Sequence, residues 1–141
     1  MTRTFALVVG LIFLVGGILG FIPGVVQPPP TSDANLSIQL GYGYLFGIFP
    51  VNIVIDVLYI IIGAAGLLSY NNAHTSRNYA QVVAVLFGIL ALMGIPAGIN
   101  TVFGLAPVFG NSVWLHAVVA VIAALVGWMT HEEEATPIRT S

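Results

Sequence analysis

Four apolar stretches, separated by breaks rich in Gly, Pro and Asn, constrain this chain more than any other feature. They cover residues of about 4–22, 51–69, 79–95 and 112–129. Each approaches the roughly 20 residues that a helix needs to cross a hydrocarbon core of about 30 Å. They lack the apolar/polar alternation of barrel strands, and a spanning helix satisfies its own backbone hydrogen bonds where lipid cannot. Composition points the same way. Only 6% of the 141 residues are charged and 58% are hydrophobic, with a mean hydropathy of +1.03, whereas a soluble domain carries about 25% charged residues to wet its surface. The expected fold class is therefore an all-α membrane protein, a four-transmembrane-helix bundle forming a single integral membrane domain over residues 1–141.

The first stretch follows Arg3 and is expected to be a retained helix rather than a secretory signal. Its apolar run of about 18 residues exceeds the usual 7–15 of a signal, and no small-residue cleavage pattern follows. Gly16, Gly20 and Gly24 recur every four residues, and Gly63 and Gly66 bracket a second small-residue run, Gly63-Ala64-Ala65-Gly66. Such stripes let a second helix approach closely. With four crossings, the N-terminus, the connection at 71–78 and the tail at 130–141 share one side, and Arg3, Arg77 and Arg139 fall one in each. The positive-inside rule assigns that side to the cytoplasm, so both termini are expected there, in a bacterial inner (cytoplasmic) or internal membrane.

The outer loop, 23–50, is the longest connection. Pro28-Pro29-Pro30 is stiff, 31–35 is a polar turn, and 36–49 becomes apolar again around Gly41-Tyr42-Gly43-Tyr44, which favours the membrane interface and a short amphipathic or re-entrant helix. The connection at 96–111 carries Gly98, Asn100, Pro107 and Gly110, so regular helix is not expected throughout it. The tail with Glu132, Glu133 and Glu134 reads as solvated.

An internal repeat runs through these helices. A shift of 74 residues sets Phe5 on Tyr79, Ala6 on Ala80, Phe13 on Phe87, Gly20 on Gly94 and Gly24 on Gly98. A shift of 57 sets Leu58 on Leu115, Tyr59 on His116 and Leu68 on Leu125. Both copies would enter the membrane from the same side, which predicts two duplicated helical hairpins about an axis along the membrane normal.

Leu45-Phe46-Gly47-Ile48-Phe49-Pro50-Val51-Asn52, followed by Gly63-Ala64-Ala65-Gly66-Leu67-Leu68, resembles the bacterial four-helix membrane family labelled domain of unknown function 4383. Gly20-Phe21-Ile22-Pro23-Gly24 and Trp114-Leu115-His116 also match it, so the resemblance covers nearly the whole chain. It implies a four-helix bundle and no established activity. The family's His-Asn-x-x-His run reads Ile55, Asp56 and Tyr59 here, leaving His116 as the histidine that corresponds to the family's recurrent one in the fourth helix.

Asp56 lies about five residues inside the second helix, some 7–8 Å deep at 1.5 Å per residue. Asn52 and Tyr59 share its face, four residues before and three after, and His116 lies at similar depth in the fourth helix. Asn52, Asp56, Tyr59 and His116 are thus the candidate intramembrane polar cluster: a register-fixing set of hydrogen bonds, a site for a proton, ion or small ligand, or, for Asp56, a near-surface acid hydrated at the interface. The chain has no Cys, and Asp56 with His116 supplies no third strong donor, so no metal site and no cofactor are expected. No nucleophile–base set, phosphate-cradling loop or carboxylate pair appears, which argues against an enzyme. Three arginines make no nucleic-acid surface.

The leading expectation is a structural or accessory component that meets the lipid bilayer and assembles with itself or a larger membrane complex. The alternatives are a small transporter or proton/ion-linked protein using Asp56 and His116, and a pigment- or haem-binding subunit through His116.

Overall fold

In the computed structural model, residues 1–130 are described; His131, Glu132–Glu134 and Arg139 lie outside them. Four α-helices form the body: α1 (Thr2–Leu19), α2 (Ile53–Ser69), α3 (Ala73–Met93) and α4 (Asn111–Ala124), the last continued by a π-helical turn, Leu125–Met129. Three helices are long and apolar enough to cross a membrane: α1, α3 and α4 with its π continuation, while α2, at 17 residues, is shorter.

Local chemistry sets the helix ends. Asn52 and Asn72 cap α2 and α3, their side chains accepting from Ile55 N and from His74 N and Thr75 N. The Asn72 cap explains why α3 starts at Ala73 rather than at the apolar edge near residue 79: the polar turn His74–Asn78 is already helical. At the other termini, α1 and α3 close on Gly20 and Gly94.

The long connection corrects one expectation. In place of an amphipathic or re-entrant helix it builds a small antiparallel sheet in the order β1 (Val26–Gln27), β2 (Gly43–Leu45) and β3 (Phe49–Val51), with Tyr44 opposite Pro50. The segment is dense in glycine and aromatic residues, which disfavour helix and suit pleated backbone. Pro50 fits because β3 is an edge strand, where a missing N–H costs no ladder bond. The β2–β3 turn runs through Phe46 and Gly47 at φ 54° and 70°. The 96–111 connection is irregular, as its Gly and Pro content predicts, and passes through Val102, Phe103 and Gly104 at φ 49°, 57° and 86°.

The principal helix contacts are α1 on α2 and α3 on α4, with α1 and α2 also touching α3. The core is aliphatic and aromatic, built from Phe5, Val9 and Phe13 of α1, Ile55, Tyr59 and Ile62 of α2, Val83 and Phe87 of α3, and Ala120 and Ala123 of α4. The outward faces are equally apolar: Leu11, Ile12 and Val15; Val57 and Ile61; Val82, Val85 and Ile89; Trp114, Val118 and Val121 are all exposed. Apolar side chains on every side suit helices surrounded by hydrocarbon.

The sheet covers one end of this body. At the opposite end, Arg3 Nε donates to the Tyr70 carbonyl at 2.8 Å and Arg77 Nε to the Gly127 carbonyl at 2.9 Å. Each arginine thereby meets the last carbonyls of the neighbouring helix, the negative end of that helix's dipole.

Candidate functional site

The N-cap and first two turns of α2 carry three of the four polar residues singled out by the sequence, and they face three ways. Asn52, completely buried, accepts from Ile55 N at 3.1 Å through Oδ1. Its Nδ2 donates to the carbonyls of Ile38 and Leu105, at 3.1 and 2.8 Å. One side chain therefore ends α2 and ties both long connections to it.

Tyr59 reaches across the core. Its hydroxyl and His116 Nε2 hydrogen-bond at 2.7 Å, joining α2 to α4, and the His116 ring stacks on Phe87 with centroids 5.1 Å apart. Phe13 completes the layer, its centroid 4.9 Å from both Tyr59 and Phe87. One aromatic side chain from each helix thus meets at one level. His116 is fully buried and its Nδ1 has no hydrogen-bond partner. The Tyr59 bond engages the one nitrogen and Phe87 covers a ring face, an arrangement suited to a core histidine.

Asp56 turns toward α1. It is 1% exposed, and neither carboxylate oxygen has a hydrogen-bond partner among the described residues. The space it occupies exists because α1 carries glycine there: a Cβ on Gly20 would fall on the Asp56 carboxylate, and one on Gly17 would come within 2.6 Å of the Asp56 carbonyl. The structure therefore brings Tyr59 and His116 together and sets Asn52 and Asp56 apart from them, Asn52 against the connections and Asp56 against the end of α1.

The small residues divide as well. Gly63 abuts Leu14, and Gly66 lies against Ala6 and Gly10, a Cβ there coming within 2.7 Å of the Ala6 carbonyl. With Gly20, these bring α1 and α2 into close contact. Gly16 and Gly24 would meet nothing within 4 Å, and Gly24 adopts φ 90° in the turn after α1. Two residues that sequence reasoning did not single out, Gly17 and Gly94, do comparable work. Gly94, 74 positions after Gly20, houses Val113, 57 positions after Asp56, and also lies against the Val108 carbonyl. The repeat offsets were the signal that could have found this second corner.

Above the Asp56 corner is a cleft of about 370 Å³, lined by Gly20, Gln27, Gln39, Gly41 and Tyr42 among others. Gly41 closes on the start of α2, where a Cβ would approach Ile53 N at 3.4 Å. Nearby, the Tyr44 hydroxyl donates to Asp33 and the Tyr42 hydroxyl to the Ala34 carbonyl at 3.0 Å. Partial burial, then the bond to Asp33 and its charge, hold the Tyr44 hydroxyl above the usual tyrosine value; burial and Asp33 raise that of Tyr42. No group of three or more His, Cys, Asp or Glu capable of holding a metal occurs among the described residues.

Long apolar helices, a buried Tyr–His link and a buried acid define the class: a small helical protein of membrane-crossing character. The chain belongs to the family described as domain of unknown function (DUF4383), which matches residues 3–129. No curated protein and no solved structure matches it.

Proposed function

We propose that the protein is a non-catalytic accessory or assembly component of a membrane complex, a four-helix bundle made of two copies of one helical hairpin. The observation that carries this reading is the aromatic layer of Phe13, Tyr59, Phe87 and His116, which fills the level where the four helices meet and favours a rigid module over a conduit through the chain. The polar groups beside it support the same role: Asn52 and Tyr59 tie connections and helices to one another. Gly63 and Gly66 are spent inside the molecule, so the helix glycines left open toward other chains are Gly16 and Gly88, on faces rich in exposed Val, Leu and Ile.

Several pairs of matching details support duplication. Arg3 on the Tyr70 carbonyl corresponds to Arg77 on the Gly127 carbonyl under the same two shifts. Leu45-Phe46-Gly47-Ile48-Phe49-Pro50-Val51 corresponds to Val102-Phe103-Gly104-Leu105-Ala106-Pro107-Val108, and both Phe-Gly steps are left-handed. Both arginines lie at the end away from the sheet, which by the positive-inside rule supports a cytoplasmic position for that end in a bacterial inner or internal membrane.

The test is size and company. Extracted from native membranes in a mild detergent, the protein should run with partner subunits or as an oligomer, and Gly16→Leu, which meets open space in the chain itself, should release it. A free monomer from native membranes overturns the reading. The chain has no Cys, so Ser32→Cys and His74→Cys report orientation: an impermeant maleimide added outside should label the first and spare the second.

A further inference from the structure

Asp56 is the one buried polar side chain of the α2 first turn that the accessory role does not use. Its packing does not explain it, because Val113 fills the corresponding corner against Gly94 without an acid. The chain has gone further and removed the donors a carboxylate needs: both oxygens are without a partner at 1% exposure. An ionised carboxylate in such a place carries a desolvation penalty of several kcal/mol, whereas a neutral carboxyl leaves only hydroxyl- and carbonyl-type groups unpaired, at about 1–3 kcal/mol. Among the described residues, no cation stands in to offset the charge. Arg3 and Arg77 are bonded to carbonyls at the far end, and Arg139 lies outside the described residues.

The other titratable groups around the corner are accounted for. From α1 there is none near it, Arg3 being the single titratable side chain of that helix. On α2, Tyr59 is engaged by His116 of α4; on α3, Tyr79 donates to the Ile62 carbonyl at 2.9 Å; in the connection above, Asp33 and Tyr44 bond one another and Tyr42 donates to Ala34. Gly20 touches the carboxylate on one side and lines the polar cleft on the other. Gly20 has no side chain, so at that point only its backbone stands between the acid and the cleft, which Gln27, Gln39 and Tyr42 also line.

We propose that Asp56 is a proton-binding site, its carboxyl taking up and releasing a proton through the cleft over Gly20 at the sheet-bearing end. The ligand is the proton itself, carried on the Asp56 carboxyl, and the site stands whether or not a partner subunit is found.

A membrane-permeant carbodiimide tests this on the full-length chain in liposomes, because the reagent adds to a protonated buried carboxyl and leaves a mass tag on that residue. The tag should appear on Asp56, be absent from Asp56→Asn, and fall about tenfold per pH unit once the group ionises. Na⁺ or Li⁺ at constant pH should leave it unchanged. An independent readout is the protonated-carboxyl C=O stretch in infrared spectra, present for the natural chain and lost in Asp56→Asn. Absence of the tag, absence of the band, or suppression of the tag by Na⁺ or Li⁺, which would make the occupant a metal cation, overturns the proposal.

Discussion

Two corners of this molecule have the same backbone plan and different contents. Where α1 ends, Gly20 packs on Asp56; where α3 ends, Gly94 packs on Val113. The second corner is what packing alone asks for, a branched aliphatic side chain set into the gap that a glycine leaves, closed by the Val108 carbonyl. The first has a carboxylate of similar bulk without a donor for either oxygen, beneath a small sheet and a polar cleft. The contrast teaches that packing at such a corner does not call for an acid, since the matching corner is filled by an aliphatic side chain.

The largest expected effect comes from closing the apolar corner. Gly94→Ala drives a methyl into the Val108 carbonyl, a backbone atom that cannot swing aside, and should cost about 3 kcal/mol, read as a lowered thermal midpoint in detergent. Gly20→Ala meets a side chain instead and should cost less; the reverse order would break the comparison. Val113→Asp installs a second unpartnered acid and should destabilise by about 2 kcal/mol, measured in the same way. Tyr59→Phe leaves both His116 nitrogens without a partner. It should cost about 0.6 kcal/mol, the average for polar links inside membranes, and a loss several times larger would mean that the Tyr59–His116 bond is a main tie between the two corners' helices. Asp56→Val, which copies the second corner into the first, should leave the midpoint unchanged or raised, since it removes a buried polar group without a partner and fills its place with a branched aliphatic side chain. A marked loss of stability there would show that the acid is structural.

Much of this architecture was legible in the chain. Four apolar stretches and the scarcity of charge announce the helices, and Phe13 with Phe87 and Tyr59 with His116, paired by the sequence offsets among several others, meet in the core. What could not be read was direction. Asn52, Asp56 and Tyr59 share a helical face by spacing, yet a face spans enough arc for one residue to reach the connections, the next α1 and the third α4. The answer depended on Gly17 and Gly20, whose missing side chains open the α1 side to the acid, and single-helix periodicity carries no information about a neighbour's gaps. The sheet escaped notice for a related reason. Its strands are two or three residues long, too short for an alternating pattern, and the signal was confined to glycine spacing and Pro50.

The two arginine–carbonyl bonds bear on how such a chain is made. Arg3 finds its carbonyl on Tyr70, and Arg77 finds its own on Gly127, so neither bond crosses from one helical pair to the other. Each helical pair therefore carries its own latch at the end away from the sheet, closed by residues of that pair alone. The chain can accordingly be built as two separately fastened units, joined where Phe13 meets Phe87 and Tyr59 meets His116.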